Sequence, residues 1–212
     1  MKTLFKPFLL LAITALTIVS CSKSDDFDYE KAQEQQRIED SLNNIRIQKV
    51  ITEQAPALKK FATDNFENPV LHDSLGIWYD LVNPGEGEAF QYRISNGGVT
   101  APTITVIYKG TLLDGTVFDE SDDKDTEDKI ETAEMPLGGV IKAWQSAFLP
   151  KVVKYNGYTV PMAGLTTEGL RKGAIIRFIT PSPWAYDTKE LGTIPANSPL
   201  YFEVEVVDIK YK

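Results

Sequence analysis

The sequence of 212 residues predicts an α+β fold, an antiparallel β-sheet wrapped on one amphipathic helix and preceded by an N-terminal helical arm. Three observations predict it. Short alternating runs rich in β-branched and aromatic residues begin only after Gly76. A single amphipathic stretch, residues 140–148, interrupts them. Before them, residues 28–54 are rich in Glu, Gln, Arg, Lys and Asn, with apolar residues at helical spacing.

In the arm, Ile38, Leu42 and Ile45 form a narrow helical stripe on an otherwise polar segment. So thin a stripe suits a spacer, a weakly packed helix or a helix that pairs with a second copy. Pro56 is expected to break the pattern, with residues 57–62 forming a second short helix that ends near Asp64 and Asn65. Asn68-Pro69 and Asp73-Ser74 then mark a loop. The strands expected beyond it are residues 77–82, 103–108, 174–179 and 200–209. Between the second and third, Ile141, Trp144 and Phe148 fall on one helical face, which places a helix on the sheet. The segment 149–163 reads as an insertion turning at Tyr155-Asn156-Gly157-Tyr158, either a client-contacting hairpin or plain decoration.

The first twenty residues have a basic start, Lys2 and Lys6, then an apolar run that stops at Cys21. This reads as a secretory signal, and it is shorter than the roughly 20 apolar residues of a membrane-spanning helix. Cys21 is the only cysteine, and Ile18-Val19-Ser20-Cys21 resembles the lipobox of bacterial lipoproteins, although Ile18 and Val19 depart from its commoner form. Lipid attachment at Cys21 would also remove a free thiol from an oxidising compartment. Ser24-Asp25-Asp26-Phe27-Asp28 resembles an acidic tag that sends some lipoproteins to the cell surface; a solvated tether is the alternative. The expected location is therefore the outer membrane, lipid-anchored, at its periplasmic face or the cell surface.

Removing residues 1–20 takes away two lysines and no acids, which moves the formal charge from −8 to −10. Nucleic acid is a poor partner for such a chain. The expected organisation is a signal peptide at 1–20, an acidic tether and helical arm at 21–74, and a catalytic or binding domain at 75–212.

Within 75–212 the motifs follow a recognisable order. Gly76-Ile77-Trp78-Tyr79 and Asn83-Pro84-Gly85-Glu86-Gly87 come first, followed by the continuous run from Val106 to Ser121, which contains Tyr108-Lys109-Gly110, Asp114-Gly115 and Phe118-Asp119. Then come Pro136-Leu137-Gly138, Val140-Ile141-Lys142-Ala143-Trp144, Lys172-Gly173, Thr180 to Tyr186, Ile194-Pro195 and Leu200 to Val206. No one piece is specific, but together and in this order they resemble the FKBP-type peptidyl-prolyl cis/trans isomerases.

That resemblance implies an FKBP-like fold that accelerates X-Pro isomerisation in proline-containing polypeptides without metal or cofactor. The proline ring would sit on Trp144, walled by Tyr108, Phe118, Val140, Ile141, Ile194 and Phe202. Asp119 and the Tyr186 hydroxyl would form the polar edge, and the Ile141 N–H and that hydroxyl would hold substrate carbonyls. Such chemistry needs shape more than reactive groups. Amide resonance sets a rotation barrier of roughly 18–20 kcal/mol, and a twisted amide is less dipolar than a planar one, so an apolar, water-poor pocket favours the twist. Without the ordered pattern, Trp144, Val140 and Phe202 would read simply as core.

Two departures from the family bear on activity. An aromatic wall position falls near Ala133, and Asp187 with residues 188–191 replaces a glycine-rich flap. They keep open two other readings, a catalytically weak FKBP-like chaperone or binding module, and a scaffold in a surface lipoprotein assembly. Oligomeric state stays open too.

Other sites have weaker support. Residues 119–134 hold nine acids, and Asp123, Asp125 and Glu127 invite a calcium reading, but Asp128 stands where the calcium loop needs glycine. His72 is the only histidine, leaving zinc or triad chemistry without partners. Gly97-Gly98 lacks the strand-to-helix context of a phosphate cradle.

Overall fold

A computed structural model describes residues 29–95, 97–121 and 131–212. Cys21, the acidic tag at 24–28 and the candidate calcium residues Asp123, Asp125 and Glu127 lie outside the described residues. The chain divides into two compact units, Met1–Asp40 and Ser41–Lys212. In the first, the described residues are helical and polar, with ion pairing between Arg37 and Glu34 and a hydrogen bond from Gln36 to Asp40.

Helix α1 runs over Tyr29–Asn65 without interruption at Pro56, which corrects the expected break. A proline inside a helix costs about 3 kcal/mol through its missing N–H and ring clash. Two features offset it here. Pro56 and Thr52 are exposed, so water reaches the carbonyl left without a donor, and Ile51, Leu58 and Ala62 are buried on either side of the proline. Asp80, 2% exposed, accepts the N–H groups of Glu67 and Asn68 and so fastens the helix exit to the sheet.

The second unit is built on strands β1 Val70–His72, β2 Ile77–Pro84, β3 Ile94–Ser95, β4 Gly98–Val99, β5 Thr103–Thr111, β6 Val117–Glu120, β7 Ala133–Pro136, β8 Val152–Tyr155, β9 Tyr158–Pro161, β10 Ala174–Thr180 and β11 Leu200–Lys210. Among the described residues, seven of them form one antiparallel sheet in the order β1-β2-β10-β11-β5-β6, with β7 sharing the β5 edge with β6. The four strands read from the sequence are its middle. Their alternation sorts the faces: Leu200, Phe202, Val204 and Val206 of β11 are buried inward, with Ile104 and Val106 of β5 and Ile176 and Phe178 of β10.

Helix α2, Lys142–Phe148, lies on that inner face and buries Trp144 and Phe148 as expected. The outer face is covered as well, which the narrow stripe of the arm did not signal. Leu58, Ala62 and Phe66 pack over Ile179 in a second cluster edged by Phe61, Trp78, Leu113 and Tyr201. The stripe residues Ile38, Leu42 and Ile45 are instead 51%, 61% and 64% exposed. The arm's buried contacts come from the helix C-terminal to the stripe.

The insertion after α2 is a hairpin of β8 and β9, with Tyr155 paired to Tyr158. Asn156 and Gly157 both take positive φ, 48° and 80°, as a two-residue hairpin turn requires.

Candidate functional site

The aromatic group gathers on the inner face, where α2 crosses β5 and β11. Trp144 is its centre and is 4% exposed. Tyr108 meets the indole edge-on at 5.2 Å, and Phe202 does so from β11 at 5.6 Å. Phe118 on β6 stands edge-on to Phe202 at 5.7 Å, and Phe178 stacks beneath Phe202 at 5.3 Å. Edge-to-face packing at these separations is favourable for aromatic quadrupoles and holds each ring in one orientation. The rings therefore form a preorganised apolar wall.

One glycine makes this packing possible. A Cβ on Gly110 would lie 2.6 Å from the Phe118 ring and 3.1 Å from that of Phe202, so both rings rest on bare backbone. In the sequence Gly110 stood only as part of the Tyr108-Lys109-Gly110 motif, with no role of its own. The available signal was a glycine inside a strand run, which marks close approach by another group.

The polar edge is assembled from three elements. The Tyr108 hydroxyl donates to Asp119 Oδ2 at 2.7 Å, across the β5–β6 pair. Burial pushes the Tyr108 phenol well above its ordinary range, and the bond to Asp119 raises it further. The Tyr186 phenol is raised by burial, with the Asp119 charge adding to the effect. Both hydroxyls thus keep their protons at neutral pH and remain donors.

The other expected residues occupy the rim and the base. Val140 and Ile141 are half-buried against the core cluster. Ile141 caps α2, so its N–H precedes the helical ladder. Gln145 donates to the Val140 carbonyl at 2.9 Å and steadies this corner. Ile194 is 4% exposed and paired with Leu191, so it supports the site from within the core more than it lines an open surface. Ala133, near which an aromatic wall position was expected, is half-buried on β7 opposite Val106.

The loop bearing Tyr186 is anchored on both sides of that residue. Trp184 donates to the Leu75 carbonyl at 2.7 Å, and the Lys142 ammonium lies 4.7 Å from its ring centroid. Asp187 has φ of 54°, a left-handed geometry that Asp tolerates better than most residues. Its carboxylate accepts from both terminal guanidinium nitrogens of Arg46, Nη1 and Nη2, at 3.0 and 2.7 Å. That partner lies in α1 and no sequence pattern pointed to it.

A cleft of about 740 Å³ opens on the outer face, lined among others by Lys60, Phe61, Arg177, Tyr201 and Glu203. It shares no residue with the aromatic group, and an Arg177–Glu203 ion pair crosses its floor. The apolar preorganisation described above points to the inner face as the functional one. Among the described residues, no group of three or more His, Cys, Asp or Glu is close enough to hold a metal ion.

Comparison with known proteins agrees with this geometry. FkpA of Escherichia coli strain K12, an FKBP-type peptidyl-prolyl cis-trans isomerase, is 33% identical over 155 residues, covering 72% of this chain and 43% of that protein. FkpA of Buchnera aphidicola from Acyrthosiphon pisum is 31% identical over 164 residues, covering 72% of this chain and 55% of its own length. The chain thus spans about half the length of these relatives. The crystal structure of Escherichia coli FkpA superposes with a TM-score of 0.51 at 26% identity, covering 86% of this chain and 73% of that one. Residues 98–207 match the family described as FKBP-type peptidyl-prolyl cis-trans isomerase, and they contain the whole aromatic group. The chain belongs to the FKBP-type peptidyl-prolyl cis-trans isomerase family.

Proposed function

We propose that this chain is a prolyl cis/trans isomerase acting on exposed X-Pro bonds of exported proteins in the bacterial envelope. The observation that carries the reading is the group of rings in which Tyr108 and Phe202 stand against Trp144 and Phe118 stands against Phe202, bordered by the protonated hydroxyls of Tyr108 and Tyr186. A proline ring fits such a wall by shape and apolar area, and the hydroxyl of Tyr186 with the Ile141 N–H orients the peptide. The carbonyl of the residue before proline then turns in an environment that solvates the planar, dipolar amide poorly. No proton is transferred and no covalent bond forms; the site binds the twisted amide better than either planar isomer.

The envelope setting rests on the signal-like residues 1–20 and on Cys21, whose lipid would hold the domain at the outer membrane through the segment 21–74. Substrates would be slow-folding exported chains, whose uncatalysed prolyl steps take tens to hundreds of seconds. Ala133 and Asp187 favour a second reading, a binding module with weak turnover.

The test is the cis-to-trans rate of several X-Pro peptides with and without the protein. Acceleration proportional to protein concentration supports the isomerase reading. A folded protein that accelerates none of them but binds an unfolded proline-rich chain supports the binding module. Labelling with a radioactive fatty acid, with Cys21→Ser as control, tests the anchor.

A further inference from the structure

The loop from Ser182 to Asn197 carries Tyr186, and α1 holds it at three places. The Gln54 carboxamide spans the two ends of the loop: its Nε2 donates to Ser182 Oγ at 3.1 Å and to the Asn197 carbonyl at 2.9 Å, while its Oε1 accepts the Ser182 N–H at 2.9 Å. Two turns earlier on the helix, Arg46 grips Asp187, the residue after Tyr186, through both carboxylate oxygens. Asp187 in turn accepts the Asn197 N–H at 2.6 Å through its backbone carbonyl and donates its own N–H to Ser182 at 2.8 Å. The helix is seated at this level, because Ile51 is 9% exposed and its Cγ2 occupies the space that a Cβ on Gly76 would need.

We propose that residues 46–54 of α1 are a positioning element for the isomerase site, with Arg46 and Gln54 fixing the loop that presents the Tyr186 hydroxyl to substrate. This rests on the isomerase reading and extends it. A glycine-rich loop would have to be ordered when substrate binds, whereas this loop is ordered in advance by a helix outside the family-matched residues 98–207. Arg46 suits the task because its planar guanidinium engages a carboxylate at two points and so fixes direction as well as distance. The pair is partly exposed, with side chains 40% and 29% accessible, so its effect falls on loop geometry more than on global stability. Neither residue touches the substrate; both act through Tyr186.

The experiment is a double-mutant cycle in the full chain with Arg46→Ala, Asp187→Asn and both together, alongside Gln54→Ala and, as a control in the polar first unit, Arg37→Ala. Steady-state isomerisation and amide hydrogen exchange of residues 182–197 are read together. Arg46→Ala and Asp187→Asn are each expected to raise KM about two- to fivefold, the scale of a partly exposed ion pair. The double variant is expected to be no worse than either single one, because both remove the same contact. Exchange at the Asp187 and Asn197 amides should quicken in all three and in Gln54→Ala, with Arg37→Ala unchanged and Arg46→Lys between wild type and Arg46→Ala. Unchanged exchange, or additive single effects, would overturn the proposal. Faster exchange with unchanged KM would reduce the clamp to a structural contact and overturn it too. A wild-type protein without isomerase activity would sink the functional reading itself, and the exchange data would show separately whether α1 pins the loop.

Discussion

The two faces of the sheet are built differently. On the inner face, Trp144, Phe148, Phe178 and Phe202 join the apolar residues of four strands in one continuous core. On the outer face the buried apolar cluster is, among the described residues, the small group Leu58, Ala62, Phe66 and Ile179, beside an open cleft crossed by the Arg177–Glu203 pair. On the proposed function, the inner face combines stability and recognition in the same rings. The outer face attaches a helix, and through that helix it reaches the Tyr186 loop. Damage in the buried centre of the inner face should therefore reach fold and activity together, while damage deep in the outer cluster should reach stability alone.

The largest expected effect comes from Phe178→Ala, which removes the ring stacked beneath Phe202 and should cost about 3–5 kcal/mol, measured by denaturant unfolding. Leu58→Ala, the central contact of the outer cluster, should cost about 2–4 kcal/mol, with the folded fraction keeping wild-type turnover. Equal loss of turnover in the two variants would break the contrast between the faces. Gly110→Ala sharpens it. The added methyl displaces Phe118, the more movable of the two rings it meets, so about 1–3 kcal/mol should be lost along with most of the turnover. The smallest effect is that of pH. A phenol whose pKa is raised keeps its proton beyond its usual midpoint, so turnover should not decline through Tyr108 or Tyr186 up to about pH 10. A pH–rate profile falling with a midpoint near 9 would show that one of these hydroxyls is far less shielded than its burial indicates.

The same contrast explains what the sequence made legible. Alternation exposed the inner face because residues such as Phe202 and Val204 are sorted by a period of two, and the ordered motifs brought Tyr108, Phe118, Asp119 and Trp144 together in advance. The outer cluster was not legible, since Leu58 and Ala62 sit in a polar helix, Phe66 follows just after it, and all three gain their meaning only from Ile179, far away in the chain. Pro56 misled for a related reason: its local cost is real, but tertiary burial of Ile51 and Leu58 outweighs it. Asp187 could be noticed only as a missing glycine, because nothing local connects it with Arg46. Gly110 left a signal that could have been used, a glycine within a β-run, and its meaning becomes plain beside the two phenylalanines it accommodates.

The central claim is that the inner-face rings carry the isomerisation, and Phe118→Ala tests it most directly. Phe118 is half-buried on the short strand β6 at the sheet edge, so its removal leaves the core in place. The full-length variant is expected to unfold at nearly the wild-type temperature while kcat/KM for an X-Pro peptide falls about tenfold or more, a loss of at least about 1.4 kcal/mol of transition-state stabilisation. A well-folded Phe118→Ala protein with wild-type kcat/KM would contradict the account.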